Sequence, residues 1–301
     1  MTPAGQVSFG IKTAQQHTTY EEILQIWQAA DHEPLIEHAW VFDHFIPQDP
    51  PFDGSCLEGW TLLAALAAHT KRLRLGVLVS GNTYRHPAVL AKMAATVDQI
   101  SGGRLDFGLG AAWNETEHVM CGIPLPEAKE RIARLGEACE VIQRLWTEPV
   151  ANFAGQYYQL AEARCKPKPV QQPRPPFVIG GGGEQLTLKV VARYADIWNI
   201  IPRSVEEFAH KSATLDGYCA SIGRDPATIL RSVQVATYDK SLDHLSNEVG
   251  KYIAAGVRQI ILEMSPRSSP DAIQTIARQV VVPFLTPSAS QGSREATQHQ
   301  A

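Results

Sequence analysis

The chain predicts a (β/α)8 barrel with an insertion after the fourth helix. Three observations carry that prediction. Eight short apolar runs alternate with eight stretches of helical periodicity. Several of those runs stop abruptly at an acid, an imidazole, a hydroxyl or a glycine. No G-x-G-x-x-G follows the first run, which argues against the doubly wound open sheet that would otherwise share this alternation.

Taken in order, Val7 to Ile11 reads as the first strand, and Thr18-Thr-Tyr-Glu-Glu22 as a capping-box start for a helix with Ile23, Leu24, Trp27 and Ala30 on one face. Strand two is Ala39 to Phe42, followed by a loop over Pro47 to Ser55 and a helix over Leu57 to Ala68. Strand three is Leu73 to Val79. The third helix starts at Pro87, a favourable first-turn residue, and reaches Ile100 before the Ser101-Gly-Gly turn. Strand four is Leu105 to Leu109, and Glu127 to Trp146 is a long amphipathic helix. The proline-rich stretch 147–176 is too long for an ordinary connection and reads as an insertion, a hairpin plus a lid. Strands five to eight follow at Phe177 to Ile179, Ile197 to Ile201, Leu230 to Thr237 and Arg258 to Glu263, each with its helix. Residues 1–286 thus form one domain, and the Ser-, Gln- and Thr-rich tail 287–301 has the composition of a disordered segment.

Composition narrows the function classes. With 301 residues, 44% of them hydrophobic, the chain buries a sizeable core. A net charge of −4 gives no attraction to nucleic acid or to an anionic membrane surface. The N-terminus lacks an apolar signal core and no run of eighteen apolar residues occurs, so no membrane span is expected. The five cysteines have neither metal-ligand nor redox spacing, which suits a reduced, cytoplasmic protein.

The chemistry concentrates at strand ends, where parallel α/β folds bind ligands. Gly180 to Gly183 lie between a strand and a helix. With no Cβ atoms, that backbone can approach a ligand closely and offer N–H groups to a phosphate; the alternative is a tight turn. His44 is suited to proton transfer and Asp43 to binding a ligand hydroxyl, although either can simply satisfy loop backbone. Ser80-Gly-Asn-Thr83 and the cluster Asn114, Glu115, Glu117 and His118 add polar groups. His86 reads as a helix cap. Trp113 is the tryptophan placed to face a ligand. No H-x-H or H-E-x-x-H spacing supports a metal site from His44, His86, Glu115 and His118, so no metal is expected.

Phe42-Asp-His-Phe45, Leu75-Gly-Val-Leu-Val-Ser-Gly-Asn-Thr-Tyr-Arg-His-Pro87, Gly108-Leu-Gly110 with Asn114-Glu115, and Ile179-Gly-Gly-Gly-Gly-Glu184 together resemble the luciferase-like monooxygenase superfamily. Within it the chain is most similar to the oxidoreductases that use the deazaflavin coenzyme F420. The resemblance covers about residues 7 to 265 in order. It implies a homodimeric barrel with the ring of F420 at the mouth, or of FMN in the alternative oxygen-using members served by a flavin reductase. It also implies a small-molecule substrate. A non-prolyl cis peptide at Leu78–Val79 would back the ring. Asp43, Ser80 and Asn114 would hydrogen-bond the cofactor, Gly180, Gly181, Gly182 and Gly183 would take its phosphate, and His44 would be catalytic. The sugar-phosphate dehydrogenases of this type have a glutamate acid where this chain has Ala111, so glucose 6-phosphate oxidation by their mechanism is not expected.

Overall fold

A computed structural model describes residues 7–265 and 268–285. In chain order the elements are β1 (Ser8–Thr13), α1 (Tyr20–His32), β2 (His38–Val41), α2 (Gly59–His69), β3 (Arg74–Val77), β4 (Ser80–Gly81), α3 (Pro87–Ser101), β5 (Phe107–Gly110), α4 (Glu115–Cys121) and α5 (Ala128–Thr147). There follow β6 (Ala151–Ala154), β7 (Gln159–Ala163), β8 (Phe177–Gly180), α6 (Thr187–Tyr194), β9 (Ile197–Ile200), α7 (Val205–Ser221), β10 (Leu230–Ala236), α8 (Leu242–Ala254), β11 (Gln259–Met264) and α9 (Asp271–Ile276).

The main sheet runs β3-β2-β1-β11-β10-β9-β8-β5-β4, with parallel pairing throughout. Its two ends, β3 and β4, are halves of one interrupted strand. The Leu75 N–H donates to Arg104 O at 3.0 Å and the Asp106 N–H to Leu75 O at 2.8 Å, so β3 also meets the chain entering β5. The sheet therefore closes on itself, and the fold is the expected (β/α)8 barrel. Trp40, Leu78, Val178, Ile197 and Ile261 pack inside it, and a larger apolar layer lies between the strands and the surrounding helices. Each fully buried large side chain in those layers stabilises the fold by about 1.5–3 kcal/mol.

Local chemistry explains the helix starts. Thr19 Oγ1 accepts from Glu22 N at 3.2 Å and Glu22 Oε2 accepts from Thr19 N at 2.8 Å, which is the expected capping box of α1. His86 Nδ1 accepts from Ala88 N at 3.2 Å and Pro87 opens α3, so His86 is the cap its position suggested. Sequence periodicity missed α4. It is seven residues long, capped by Asn114 and stopped by Gly122 at φ 66°, too short to show a helical apolar face.

The insertion contains the expected hairpin, β6 paired antiparallel with β7. After it, Asp98 of α3 accepts from Val170 N (2.7 Å) and Gln171 N (3.0 Å). That draws the proline-rich coil to the end of α3 remote from the strand C-termini. The boundary at residue 286 and the tail 287–301 lie outside the described residues. Among the described residues, no helix is long and apolar enough to cross a membrane.

Candidate active site

A cleft of about 810 Å³ opens at the C-terminal ends of the strands, within the size range of small-molecule and cofactor sites. Asp43, His44, Leu78, Val79, Ser80 and Gly180 to Gly183 all line it, as the strand-end argument requires. Gln48 and Asp49 of the Pro47–Ser55 loop contribute, but no residue of 147–176 does. The coil after the hairpin is held away from the cleft by Asp98, while Tyr158 of the hairpin accepts from Asn82 Nδ2 at 3.2 Å, just beyond β4.

His44 follows β2 and reaches across to α4. Its Nδ1 lies 2.8 Å from Oε2 of Glu117, whose side chain is 0% exposed. The same carboxylate accepts from the Phe45 N–H and the Tyr84 hydroxyl. Burial pushes the Glu117 carboxyl up, but the hydrogen bonds from His44, Tyr84 and Phe45 outweigh it and hold the group below the ordinary carboxylate value. Burial, then the bond to Glu117, raises the Tyr84 phenol, so its proton stays on. An ionised carboxylate only accepts, so Nδ1 carries a hydrogen, and in the neutral ring the lone pair is the one on Nε2. The imidazole packs edge-on against Phe42 and Trp113, with ring centres 5.4 and 5.6 Å away. Trp113 is 66% exposed and lines the cleft.

Asp43 is 2% exposed. Arg85 engages both of its oxygens, at 2.7 and 2.9 Å, and the Gly81 N–H donates to it at 3.0 Å. Arg85 also pairs with Glu58, which caps α2 through the Trp60 and Thr61 N–H groups. Asp43 thus ties β2 to β4 and to the start of α2. Burial pushes its carboxyl up to about 6, against the opposing pull of Arg85 and the Gly81 N–H.

The Leu78–Val79 peptide is cis, at the position the resemblance implied. Val79 projects from this break toward the neighbouring strands. A Cβ on Gly110 would fall 2.6 Å from Val79 Cγ2, and one on Gly180 2.9 Å from it. Gly110 of β5 and the glycine ending β8 are therefore required by the close approach of Val79, whereas Gly108 is required by the Val77 carbonyl, whose oxygen lies 1.9 Å from where a Cβ would stand. Ser80 Oγ accepts from Trp60 Nε1 at 3.0 Å inside the wall.

The Gly181 to Gly183 loop leads to α6, which has no side-chain cap, and its Gly181 has φ 125°. A Cβ on Gly182 would meet Ile200 Cδ1 at 2.8 Å and Lys211 Nζ at 3.1 Å; one on Gly183 would meet Thr187 Oγ1 at 2.8 Å. The Gly181 N–H is taken by the Asn199 carbonyl at 3.1 Å, but the Gly182 and Gly183 N–H groups, a hydroxyl and an ammonium converge on one loop, a donor set suited to phosphate. Lys211, paired with Glu207 at 2.7 Å, and Thr187 were not singled out from sequence, because one lysine on an amphipathic helix looks like any solvated residue.

Opposite Val79, four strands contribute a polar chain. Lys12 Nζ donates to Glu263 Oε1 and Gln234 Oε1, both at 2.9 Å. Gln234 Nε2 donates to Asn199 Oδ1 at 2.7 Å, and Asn199 Nδ2 to Ser232 Oγ at 2.8 Å.

Asn114 departs from expectation. It is not among the cleft residues; its Oδ1 accepts from Glu117 N at 3.2 Å and its Nδ2 donates to Gln48 Oε1 at 3.2 Å. A short polar side chain before a helix caps it in preference to facing a ligand. His118 is buried between Asn114 O and Thr83 Oγ1, at 2.6 and 2.7 Å. Among the described residues no three His, Cys, Asp or Glu side chains are grouped to hold a metal ion.

Residues 5–262 match the family described as luciferase-like monooxygenase. The chain is similar to an uncharacterised protein of Mycobacterium tuberculosis, 31% identical over 222 residues and 74% of each chain. It is 38% identical to the F420-dependent glucose-6-phosphate dehydrogenase of Amycolatopsis mediterranei over 163 residues, 53% of this chain and 46% of that protein, so the match spans about half of that relative. Among solved structures, an F420-dependent secondary alcohol dehydrogenase in complex with an F420-acetone adduct superposes with a TM-score of 0.82 at 18% identity, covering 94% of this chain and 100% of that one. That last likeness is one of fold.

Proposed function

Since the chain belongs to the luciferase-like monooxygenase family, an enzyme family, we propose that it transfers a hydride between coenzyme F420 and a small organic substrate. The observation that carries this reading is the His44–Glu117 pair on the cleft wall. Buried, ionised Glu117 fixes the tautomer that leaves Nε2 as a proton acceptor, and it stabilises the imidazolium once Nε2 takes a proton. His44 therefore receives the hydroxyl proton when an alcohol is oxidised. In the reverse sense it returns that proton to the oxygen or nitrogen of the substrate.

The residues fit the cofactor on two counts. The glycine loop, with Thr187 and Lys211, forms a cradle that a Cβ at Gly182 or Gly183 would fill, and it suits the phosphate. Leu78 and Val79 supply an apolar wall for the ring beside His44, with the Ser80 hydroxyl buried behind it against Trp60. When bound, the deazaflavin supplies a ring carbon that gives or takes hydride and reacts poorly with oxygen; the protein binds, orients and excludes water. Ala111 adds no acid here, and the carboxylates that do line the cleft are engaged, Asp43 by Arg85, Glu263 by Lys12 and Asp49 by Gln16, so His44 is the proton carrier. The same reading carries a homodimer acting in the cytoplasm, which light scattering and fractionation address.

The test is a fluorescence titration of purified apo-protein with oxidised F420 and, separately, with FMN. Saturable binding of F420 alone supports hydride transfer. A preference for FMN replaces this reading with oxygen chemistry and a partner reductase.

A further inference from the structure

Three cations line the cleft: Lys12, Arg131 and Lys211. Two have carboxylate partners, Glu263 at 2.9 Å for Lys12 and Glu207 at 2.7 Å for Lys211. Arg131, near the start of α5, has no carboxylate partner among the described residues. Its Nη1 donates to the Ala112 carbonyl at 2.9 Å. Its Nε is enclosed with no hydrogen-bond partner, and Nη2 neither donates to a described residue nor is enclosed. Around it the wall is apolar, formed by Ala111, Ala128 and Ile132.

The bond to Ala112 fixes the side chain in place. Ala112 has φ 62°, a left-handed conformation that alanine adopts at a cost, and the arginine holds its carbonyl. That role uses one of five N–H donors and none of the charge. A guanidinium standing in an apolar wall with open donors and no counter-ion is an incomplete ion pair.

We propose that Arg131 completes that pair with an oxyanion, carboxylate or phosphate, carried by the occupant of the cleft. The inference rests on the cleft being the ligand site, whichever flavin it takes. The anion comes either from the cofactor, through its phosphate and tail carboxylates, or from the substrate.

The experiment compares wild type with R131Q. Cofactor arms pair each charged ligand with its uncharged counterpart: F420 with the phosphate-free riboside of the same deazaflavin, and FMN with riboflavin. A substrate arm titrates malonate and inorganic phosphate calorimetrically into the cofactor-loaded protein. For an anion on the cofactor, R131Q weakens F420 or FMN by at least about tenfold and leaves the uncharged partner within about twofold. For an anion on the substrate, all cofactors bind alike and R131Q abolishes malonate or phosphate binding. Equal affinities in every arm, or equal losses for charged and uncharged ligands, overturn the proposal and leave Arg131 as the clasp of Ala112. Should R131Q fail to fold, R131K decides on the same ligands, since it keeps the charge without the fork: a loss confined to charged ligands supports the proposal and an even loss overturns it. If neither cofactor binds wild type, the F420 reading fails, and malonate and phosphate on the apo-protein still decide the role of Arg131.

Discussion

Glu117 Oε2 sits 2.8 Å from His44 Nδ1, a contact between residues 73 positions apart that joins the first turn of α4 to the end of β2. The carboxylate is ionised and buried, and its remaining capacity is filled by Tyr84 and the Phe45 N–H. Rotating the imidazole would strand it, so orientation and tautomer are fixed together. His44→Ala is expected to lower turnover by about a hundredfold or more while F420 affinity changes little. Steady-state kinetics beside a binding titration checks this, and unchanged turnover would show that His44 only fills space.

Glu117→Gln tests the orienting role. An amide has one acceptor oxygen for donors that now share two, and its NH2 faces hydrogens. Turnover should fall by about tenfold or more, and stability by roughly 1–3 kcal/mol. Urea melts separate the two effects, and a turnover loss that tracked the unfolded fraction alone would assign Glu117 to folding.

Asp43 gives the protein an acid-side stability component. Its carboxyl is raised from 3.8 to about 6 by burial, against the opposing effect of Arg85. A raised carboxyl holds its proton more tightly when folded, so this contribution is full below the unfolded value and is lost as pH rises through the folded one. Relative to D43N, wild type should gain about 2 kcal/mol on going from about pH 7.5 to about pH 4.5. Chemical denaturation at both pH values measures it, and a constant difference between the proteins refutes it.

His38, buried at the base of the barrel, has the opposite sign. Burial, with Arg74 nearby, lowers it from 6.5 to about 3. Its stabilising contribution is present above the unfolded value and is lost as pH falls toward the folded one. Trp40 Nε1 donates to its Nδ1 at 2.7 Å, so the hydrogen sits on Nε2. Nitrogen-15 NMR should show that neutral tautomer unchanged from about pH 8 to about pH 5.

Gly182→Ala places a methyl against the ends of two flexible side chains, Ile200 and Lys211. The fold should absorb it with little change in melting temperature. F420 affinity should drop by at least about tenfold while the phosphate-free riboside binds as before, because only the phosphate needs the bare backbone. Equal weakening of both ligands would place the phosphate elsewhere.

The barrel was legible in the sequence because each strand is an apolar run stopped by a polar or glycine residue, and the helices between show clear periodicity. His44, Val79, Ser80 and the four glycines fall on the cleft for the same reason: a strand end determines which way its next residues face. What was hidden depended on partners distant in sequence. Glu117 read as one member of a polar cluster until the fold brought it to His44. Asn114 could serve a ligand or a helix equally well, and only the presence of α4 decides it. Arg131 and Lys211 lie on amphipathic helices, where a change of one residue in register turns a solvated charge into a cleft charge.

The polar chain from Lys12 to Ser232 divides the mouth in two. β3, β4, β5 and β8 supply the break, the glycines and Val79, whereas Lys12, Asn199, Gln234 and Glu263 come from β1, β9, β10 and β11. Those four strands are contiguous and their backbone pairing is independent of these side chains. The four positions therefore form one joined unit: a change at any of them leaves a neighbour short of a hydrogen-bond partner, while the opposite half-wall keeps its geometry. Substitutions along this side of the mouth therefore have to be made together, as a set, if the barrel is to stay fully paired.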